Sequence, residues 1–308
     1  MRRVLSVAAV LVVALIACTG GASPDASGPT SPAGSSAAPA SDGRPSVLPV
    51  PVSSELAVGA NRFVFSFLDA AGNAPVAAPD RSASVRFIGP DGATVEADPA
   101  AFVWAIENER GVYVTHVAFP SAGAWRAEFT TSAPGAATET IPFDLDVRQD
   151  RSVTGVGEPA PSVDTPTALD VGGDLSRLST DADPDPAFYE MSVADALDAG
   201  RPFVLVFATP KFCVTAQCGP TLDRLKPIAA AYPDVAFINV EPYELADEGG
   251  QLQPVLTNGQ LTPVESVVAY GLLSEPYVFV IDAEGIVSAS FEVIFSADEI
   301  EAALDALG

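Results

Sequence analysis

The sequence predicts two folded regions of different class, an all-β sandwich followed by an α/β domain. Apolar and polar residues alternate with period two between residues 53 and 150, which is typical of half-buried strands. Between residues 187 and 308, short continuous apolar runs alternate with helical stretches, which is typical of strand and helix units. Segments rich in Pro, Gly and Ser precede both regions, and 308 residues suffice for two domains of ordinary size.

The composition excludes one class of partner. The chain is 48% hydrophobic and carries 40 acidic against 15 basic residues, for a net charge of -25. An acidic surface repels nucleic acid and anionic lipid headgroups, so we expect no nucleic-acid partner. The charge otherwise indicates only a well-solvated surface, and it identifies no substrate.

The N-terminus has the pattern of an export signal. An apolar run from Val4 to Ala17, interrupted by one serine, follows two arginines. It is shorter than the about 20 residues of a membrane span, and it predicts a signal peptide over residues 1–17. Its end, Leu15-Ile16-Ala17-Cys18, resembles the lipobox of bacterial lipoproteins. The resemblance implies that Cys18 is acylated and anchors the protein to the cell membrane on the extracytoplasmic side. An ordinary signal peptide followed by a chance cysteine is the alternative.

The next segment predicts a disordered tether over residues 18–52. It consists mainly of Ser, Ala, Pro and Gly, with too few large apolar side chains to offset the entropy lost on folding. Such a tether would hold the folded regions away from the membrane.

Short alternating strands separated by turns predict an immunoglobulin-like sandwich over residues 53–150. The clearest strands are Phe63–Phe67, Val85–Phe87, Trp125–Phe129 and Ile141–Val147. Two segments, Gly111–Tyr113 and Gly123–Arg126, resemble the YtkA-like and FixH-like group of extracytoplasmic β-sandwiches. Several families of this group are associated with copper, which needs His, Met or Cys ligands. The region offers His116 but no Cys or Met, so we interpret His116 as an ordinary strand residue and expect no metal.

Residues 151–186, rich in Pro, Gly and Asp, predict a linker to a domain spanning residues 187–308. In that domain Ser192 is a candidate N-cap for a short helix, and Phe203–Phe207 predicts a buried strand. The segment Cys213-Val214-Thr215-Ala216-Gln217-Cys218-Gly219-Pro220 follows, then a helical stretch and a strand at Val235–Val240. The domain ends with strands at Tyr277–Ile281 and Ile286–Val293 and a helix that Ser296 and Glu299 open with a capping box.

This order of elements resembles the thioredoxin family, in particular its TlpA-like group, from about Phe188 to Gly308. In that family a cis proline begins the strand that faces the cysteines, and Pro276 occupies this place. The resemblance implies a thioredoxin-like fold in which Cys213 and Cys218 form a redox pair beside Pro276. A structural disulfide is the alternative, because paired cysteines in exported proteins usually have that role.

The spacing of the cysteines departs from the family, which has two residues between them where this chain has four. Five residues along a regular helix separate Cα atoms by roughly 8 to 9 Å, which exceeds the limit of about 7 Å for a disulfide. The residues from Cys213 to Gln217 are therefore predicted to form a loop, with Pro220 at the first helical position. Two alignments remain open: Cys213 matches the family's nucleophile, which we favour, or Cys218-Gly219-Pro220-Thr221 matches its Cys-Gly-Pro-Cys motif.

Two further departures concern the residues around the pair. Leu205 falls near the place of the family's buried acid, and Glu275 is the nearest acid that the resemblance supplies, at a position where a solvated side chain is expected.

Four residues between cysteines also occur in atypical two-cysteine peroxiredoxins, but Pro210 stands where that family needs Thr or Ser. The Sco-like copper chaperones share the fold but need a histidine that this region lacks.

The sequence thus predicts an extracytoplasmic, lipid-anchored thiol–disulfide exchange protein. Its expected partners are protein thiols or disulfides outside the cytoplasm and the membrane that holds its anchor, and no cofactor is expected. A non-catalytic binding lipoprotein with a structural disulfide and a peroxiredoxin-like peroxidase are the alternatives.

Overall fold

Eight strands form the N-terminal part of the described chain. The computed structural model describes residues 44–307. The strands are β1 (Val47–Pro51), β2 (Gly59–Asp69), β3 (Ser82–Ile88), β4 (Thr94–Glu96), β5 (Ala101–Ile106), β6 (Arg110–Phe119), β7 (Gly123–Ser132) and β8 (Glu139–Val147). They pair antiparallel into two four-stranded sheets, ordered β1-β2-β6-β5 and β4-β3-β7-β8. The predicted β-sandwich is confirmed.

An aromatic core joins the two sheets of the sandwich. Phe63, Phe65 and Phe67 of β2 are fully buried, because β2 turns alternate side chains towards the facing sheet. Phe129 of β7 lies 5.1 Å from Phe65, ring centroid to ring centroid. The sandwich begins with β1, so residues 47–51 of the predicted tether form a strand. The signal of β1 is weak because two of its five residues are prolines.

The predicted linker of residues 151–186 packs closely against the rest of the chain. Val153 is buried, the Thr154 amide donates to the Tyr270 carbonyl oxygen, and Pro159 bridges to Ile286. Composition alone indicated an extended segment. It could not reveal these contacts, because they join residues that are far apart in sequence.

The C-terminal part, residues 187–307, is built on a four-stranded sheet ordered β10-β9-β15-β16. Its elements are α1 (Val193–Asp198), β9 (Phe203–Phe207), α2 (Cys218–Ala231), β10 (Ala236–Val240), β11 (Leu245–Asp247), β12 (Leu252–Pro254), β13 (Leu256–Thr257), β14 (Gln260–Leu261), α3 (Glu265–Tyr270), β15 (Tyr277–Ile281), β16 (Val287–Glu292) and α4 (Ala297–Asp305). Strands β9 and β10 are parallel, and the other pairs of this sheet are antiparallel.

Helices cover both faces of this sheet. The buried residues of α2 and α4 share one apolar cluster, and those of α1 and α3 share another on the opposite face. The predicted N-caps of α1 and α4, Ser192 and Ser296, are confirmed, and each closes a capping box. The hairpins β11-β12 and β13-β14 are additions that the sequence did not predict.

The sandwich and the C-terminal part share a buried apolar cluster, and the chain from Pro45 onward forms one compact unit. Val64, Val112 and Val114 of the sandwich meet Val293 and Ile294, which follow β16. A salt bridge crosses the same junction, with Arg62 Nε 2.8 Å from Glu299 Oε1. Between residues 44 and 307, no helix has the length and apolar character needed to cross a membrane.

Candidate functional site

Cys213 and Cys218 form a disulfide between the carboxyl end of β9 and the start of α2, with Cα atoms 6.0 Å apart. The residues from Cys213 to Gln217 are not helical, as expected from the limit on the distance between the two Cα atoms. The prediction that Pro220 occupies the first helical position is wrong, because α2 begins at Cys218 and Pro220 is its third residue. A proline is tolerated there because the first-turn amides have no acceptor within the helix.

The two sulfurs differ in accessibility. Cys213 is half-buried, whereas Cys218 is 0% exposed and packs in the apolar cluster under α2. The Cys218 amide donates to Cys213 Sγ at 3.2 Å, so the helix N-terminus points at the accessible sulfur. An incoming group therefore reaches Cys213 first.

The segment before β15 contacts the cysteine loop. The Glu275–Pro276 peptide is cis, and Pro276 directly precedes β15. Thr215 Oγ1 donates to the Glu275 carbonyl oxygen at 3.0 Å and lies 3.3 Å from Cys213 Sγ. We call residues 274–276 the Pro276 segment. The structure thus brings Cys213, Cys218 and the Pro276 segment close together.

The Glu275 side chain is buried, which differs from the solvated position that we expected. It is 8% exposed, and its Oε1 accepts a hydrogen bond from the Val214 amide at 3.3 Å. Its Oε2 accepts one from the Tyr243 hydroxyl at 2.8 Å. Burial, and then the hydrogen bond to Glu275, raise the pKa of Tyr243, so its phenol stays a donor at neutral pH. The sequence did not reveal this contact, because 32 residues separate the two side chains.

A second buried acid, Glu241, lies at the carboxyl end of β10 beside the start of the cysteine loop. Its Oε1 accepts hydrogen bonds from the Thr180 amide at 2.6 Å and the Thr180 hydroxyl at 2.7 Å. Thr180 Oγ1 in turn accepts the Lys211 amide at 3.2 Å, so the acid is linked to the loop backbone. Glu241 Oε2 is buried without a hydrogen-bond partner. Sequence reasoning missed this residue, although an acid directly after a mainly apolar strand was the available signal.

Leu205, at the place compared with the family's buried acid, lies in the apolar cluster on the α1 and α3 face of the sheet. Cys218 lies in the cluster on the opposite face, together with Val204 and Val206. Leu205 therefore lies on the face of the sheet away from Cys218. The buried acid near the cysteine loop is instead Glu241, which directly follows the neighbouring strand β10.

We expect Glu241 to weaken the fold as the pH rises. Burial raises the pKa of Glu241, against the lowering effect of the nearby Thr209 hydroxyl and of the hydrogen bonds from Thr180. Because the folded-state pKa lies above the unfolded one, the stabilisation is complete below the ordinary value of 4.5 and is lost as the pH rises through the folded-state pKa. Urea unfolding of Glu241→Gln should show a variant that gains free energy of unfolding, relative to the unmodified protein, between pH 4 and pH 8.

Asp144→Asn is the matched control for this pH dependence. Its hydrogen bond with Arg126, and then the charge of that residue, lower the pKa of Asp144, so its contribution has the opposite sign. Between pH 4 and pH 8 the control should differ from the unmodified protein by a nearly constant amount, because the Asp144 contribution is lost only as the pH falls below the ordinary value of 3.8. If the difference between Glu241→Gln and the unmodified protein does not change with pH, as in the control, a raised pKa of Glu241 is contradicted.

Other residues singled out in the sequence lie away from this site or outside the described range. His116 is exposed on β6, and no cluster of three or more His, Cys, Asp or Glu side chains able to hold a metal occurs within residues 44–307. Cys18, the signal peptide and residues 18–43 of the predicted tether lie outside the described residues.

Comparisons with known proteins assign no family. No family model matches the chain, and no curated protein matches it. Among solved structures, a DUF4426 family protein from Pseudomonas aeruginosa is similar over 30% of this chain and 77% of that chain, at 11% identity and a TM-score of 0.25. The chain is therefore described by its own architecture, which is mostly β-sheet with a sandwich and a disulfide-bonded cysteine pair.

Proposed function

We propose that the protein is a membrane-anchored thiol–disulfide exchange protein that acts on partner proteins outside the cytoplasm. The observation that carries the proposal is the Cys213–Cys218 disulfide, set between a strand end and a helix start with only Cys213 accessible. A purely structural disulfide requires neither a helix N-terminus directed at one sulfur nor a difference in solvent exposure between its two cysteines.

The arrangement of the C-terminal part supports a thioredoxin-like, TlpA-like domain. Its order of strand, cysteine loop, helix and parallel strand is followed by a cis proline, an antiparallel strand pair and a capped helix. This is the order on which the sequence resemblance rests. The N-terminal sandwich, with its two antiparallel sheets around an aromatic core, supports the immunoglobulin-like assignment.

The exchange reaction follows from the access of the two sulfurs. A partner thiolate attacks Cys213 Sγ, the bond between Cys213 and Cys218 breaks, and Cys218 leaves as a thiolate that takes up a proton. A second partner thiol then loses its proton and attacks the mixed disulfide at the partner sulfur, which releases Cys213 as a thiolate. The partner loses two electrons and becomes a disulfide while the cysteine pair gains them. The reverse reaction, begun by the Cys213 thiolate, reduces a partner disulfide, and the relative reduction potentials set the direction.

The surroundings of Cys213 favour its thiolate. The Cys218 amide already donates to Cys213 Sγ, and this donor serves a thiolate better than a neutral thiol. The positive end of the α2 dipole acts in the same direction. The apolar side chain of Val214, beside the disulfide, is 81% exposed and offers a partner chain an adjacent contact.

We expect Cys218→Ser to trap a partner through Cys213. In this variant, alkylation rate against pH should give Cys213 an apparent pKa below the free value of about 8.5, and a mixed disulfide should accumulate on cells. Cys213→Ser is the matched control and should trap little, because the Cys218 sulfur is buried. If the native disulfide resists dithiols in the folded protein and Cys213 shows an ordinary or raised pKa, the exchange reaction is excluded. The protein would then be better described as a binding lipoprotein with a structural disulfide.

The anchor is a separate part of the proposal and rests on the sequence Leu15-Ile16-Ala17-Cys18. Acyl chains on Cys18 would hold the protein at the membrane. We expect Cys18→Ser to release the protein into the soluble fraction or to block its processing, as read by fractionation and mass spectrometry of the mature N-terminus. Full membrane retention of a correctly processed Cys18→Ser protein would contradict the lipid anchor.

A further inference from the structure

The end of β16 contacts both the sandwich and the segment that carries Pro276. Both carboxylate oxygens of Glu292 accept the Ser54 amide at 3.0 Å, and Ser54 lies in the sandwich between β1 and β2. Glu292 Oε1 also accepts the Ser274 hydroxyl at 2.7 Å. Ser274 is two residues before Pro276, so one carboxylate joins the sandwich to the segment beside the disulfide.

The next residue, Val293, makes a second link in the same direction. Its φ is 60°, a left-handed conformation that a β-branched residue rarely adopts. Its amide donates to the Pro276 carbonyl oxygen at 2.8 Å. Its side chain is 8% exposed and packs with Val64 and Val112 on the sandwich. Burial against the sandwich therefore helps to offset the unfavourable backbone conformation that makes this hydrogen bond.

The linkage continues from the Pro276 segment to the reactive sulfur. The Glu275 carbonyl oxygen accepts the Thr215 hydroxyl, and the Glu275 carboxylate accepts the Val214 amide. Thr215 Oγ1 lies 3.3 Å from Cys213 Sγ. Hydrogen bonds thus lead from Ser54 of the sandwich through Glu292 to the segment that contacts the cysteine loop. Burial of apolar side chains would be enough to hold the sandwich against the C-terminal part. The hydrogen bonds described here lead further, to the groups that surround Cys213 Sγ.

We propose that Glu292 is a positioning residue through which the sandwich sets the reactivity of Cys213. The sandwich, held by Ser54 and by the packing of Val293, fixes the segment from Ser274 to Pro276 against the cysteine loop. The sandwich then contributes to the exchange site by positioning this segment. The inference rests on the proposed function, because it assigns to the sandwich control over the same cysteine.

The test measures Cys213 alkylation against pH in the full chain, in a Cys218→Ser background with and without Glu292→Gln. Removing the carboxylate charge weakens both hydrogen bonds at once while keeping the shape of the side chain. We expect the alkylation rate at fixed pH to change by about twofold to thirtyfold, the range for mutations that alter coupling between sites. We also expect the apparent pKa of Cys213 to shift.

Glu55→Gln is the matched control. The Glu55 carboxylate joins the sandwich to the next segment of the chain, where it accepts the amides of Ser152 and Val153 and pairs with Arg148, and within the described residues no hydrogen bond joins it to residues 274–276. It should lower the urea midpoint as Glu292→Gln does and leave Cys213 alkylation unchanged. If Glu292→Gln folds poorly, Ser274→Ala breaks the same link from its other side and should change alkylation in the same direction. The double variant should add little to either single change.

The inference fails if Glu292→Gln and Ser274→Ala both leave the rate and the apparent pKa of Cys213 unchanged, or if Glu55→Gln changes them equally. Failure of the proposed function is a different result. In that case Cys218→Ser traps no partner, and the native disulfide resists dithiols, whatever residue stands at position 292.

Discussion

Gly271→Ala should destabilise the protein severely, by about 4 kcal/mol or more in the free energy of unfolding. Gly271 ends α3 in the left-handed region, with φ of 68°. A Cβ atom at this position would lie within 1.9 Å of the Ser152 carbonyl oxygen. The Thr154 amide donates to the Tyr270 carbonyl oxygen beside it, which holds the two backbones together. The added Cβ would meet main-chain atoms, so a side-chain rotation cannot relieve the clash.

Gly172→Ala separates the clash from the conformational effect. Gly172 has nearly the same φ, 66°, but no atom lies within 4 Å of the place of its Cβ. This control should lose only about 1 kcal/mol, the cost of placing an L residue in the left-handed region. Urea unfolding of both variants gives the comparison. Similar losses in the two variants would mean that the packing of the 151–186 segment against α3 contributes little.

Arg62→Met should lower the free energy of unfolding by about 2 kcal/mol, below the range for breaking a fully buried ion pair, because both partners are only partly buried. The Arg62 side chain is 11% exposed and that of Glu299 is 25% exposed. Arg62 also donates to the Ile294 carbonyl oxygen and lies over the Phe291 ring. Methionine keeps much of the apolar stem but leaves the partly buried Glu299 carboxylate without its cation, which opposes folding.

The pH dependence of this loss has a defined sign. Burial acts to raise the pKa of Glu299, but the hydrogen bond and charge of Arg62, together with Ser296, outweigh it, so the pKa is lowered. The stabilisation is therefore present above the ordinary value of 4.5 and is lost as the pH falls through the folded-state pKa. The difference between Arg62→Met and the unmodified protein should shrink as the solution is acidified. Arg126→Met, which breaks the exposed pair with Asp144, is the control and should lose much less, because solvent screens an exposed ion pair.

Local patterns predicted the elements that have a local cause. The alternation of Phe63, Phe65 and Phe67 predicted β2, because every second side chain of a strand faces the same side. Ser192 and Ser296 predicted two helix starts, because a capping box is complete within four residues. The five-residue spacing of the cysteines excluded a continuous helix between them, because the disulfide limits the distance between Cα atoms.

The environment of the candidate site has no such local cause. The burial of Glu275 depends on Tyr243 and the cysteine loop, and that of Glu241 depends on Thr180, which is 61 residues away in sequence. The packed linker and the left-handed Val293 likewise depend on contacts between distant segments.

The sequence by itself therefore determined the strands of the sandwich, the helix caps and the loop between the cysteines. Each of these follows from side-chain periodicity or from bonding among neighbours in the chain. Only the tertiary structure decided which sulfur is accessible, which acids are buried beside the loop and how the sandwich reaches the Pro276 segment. Burial and hydrogen bonding at these places are shared by residues that only the fold brings together.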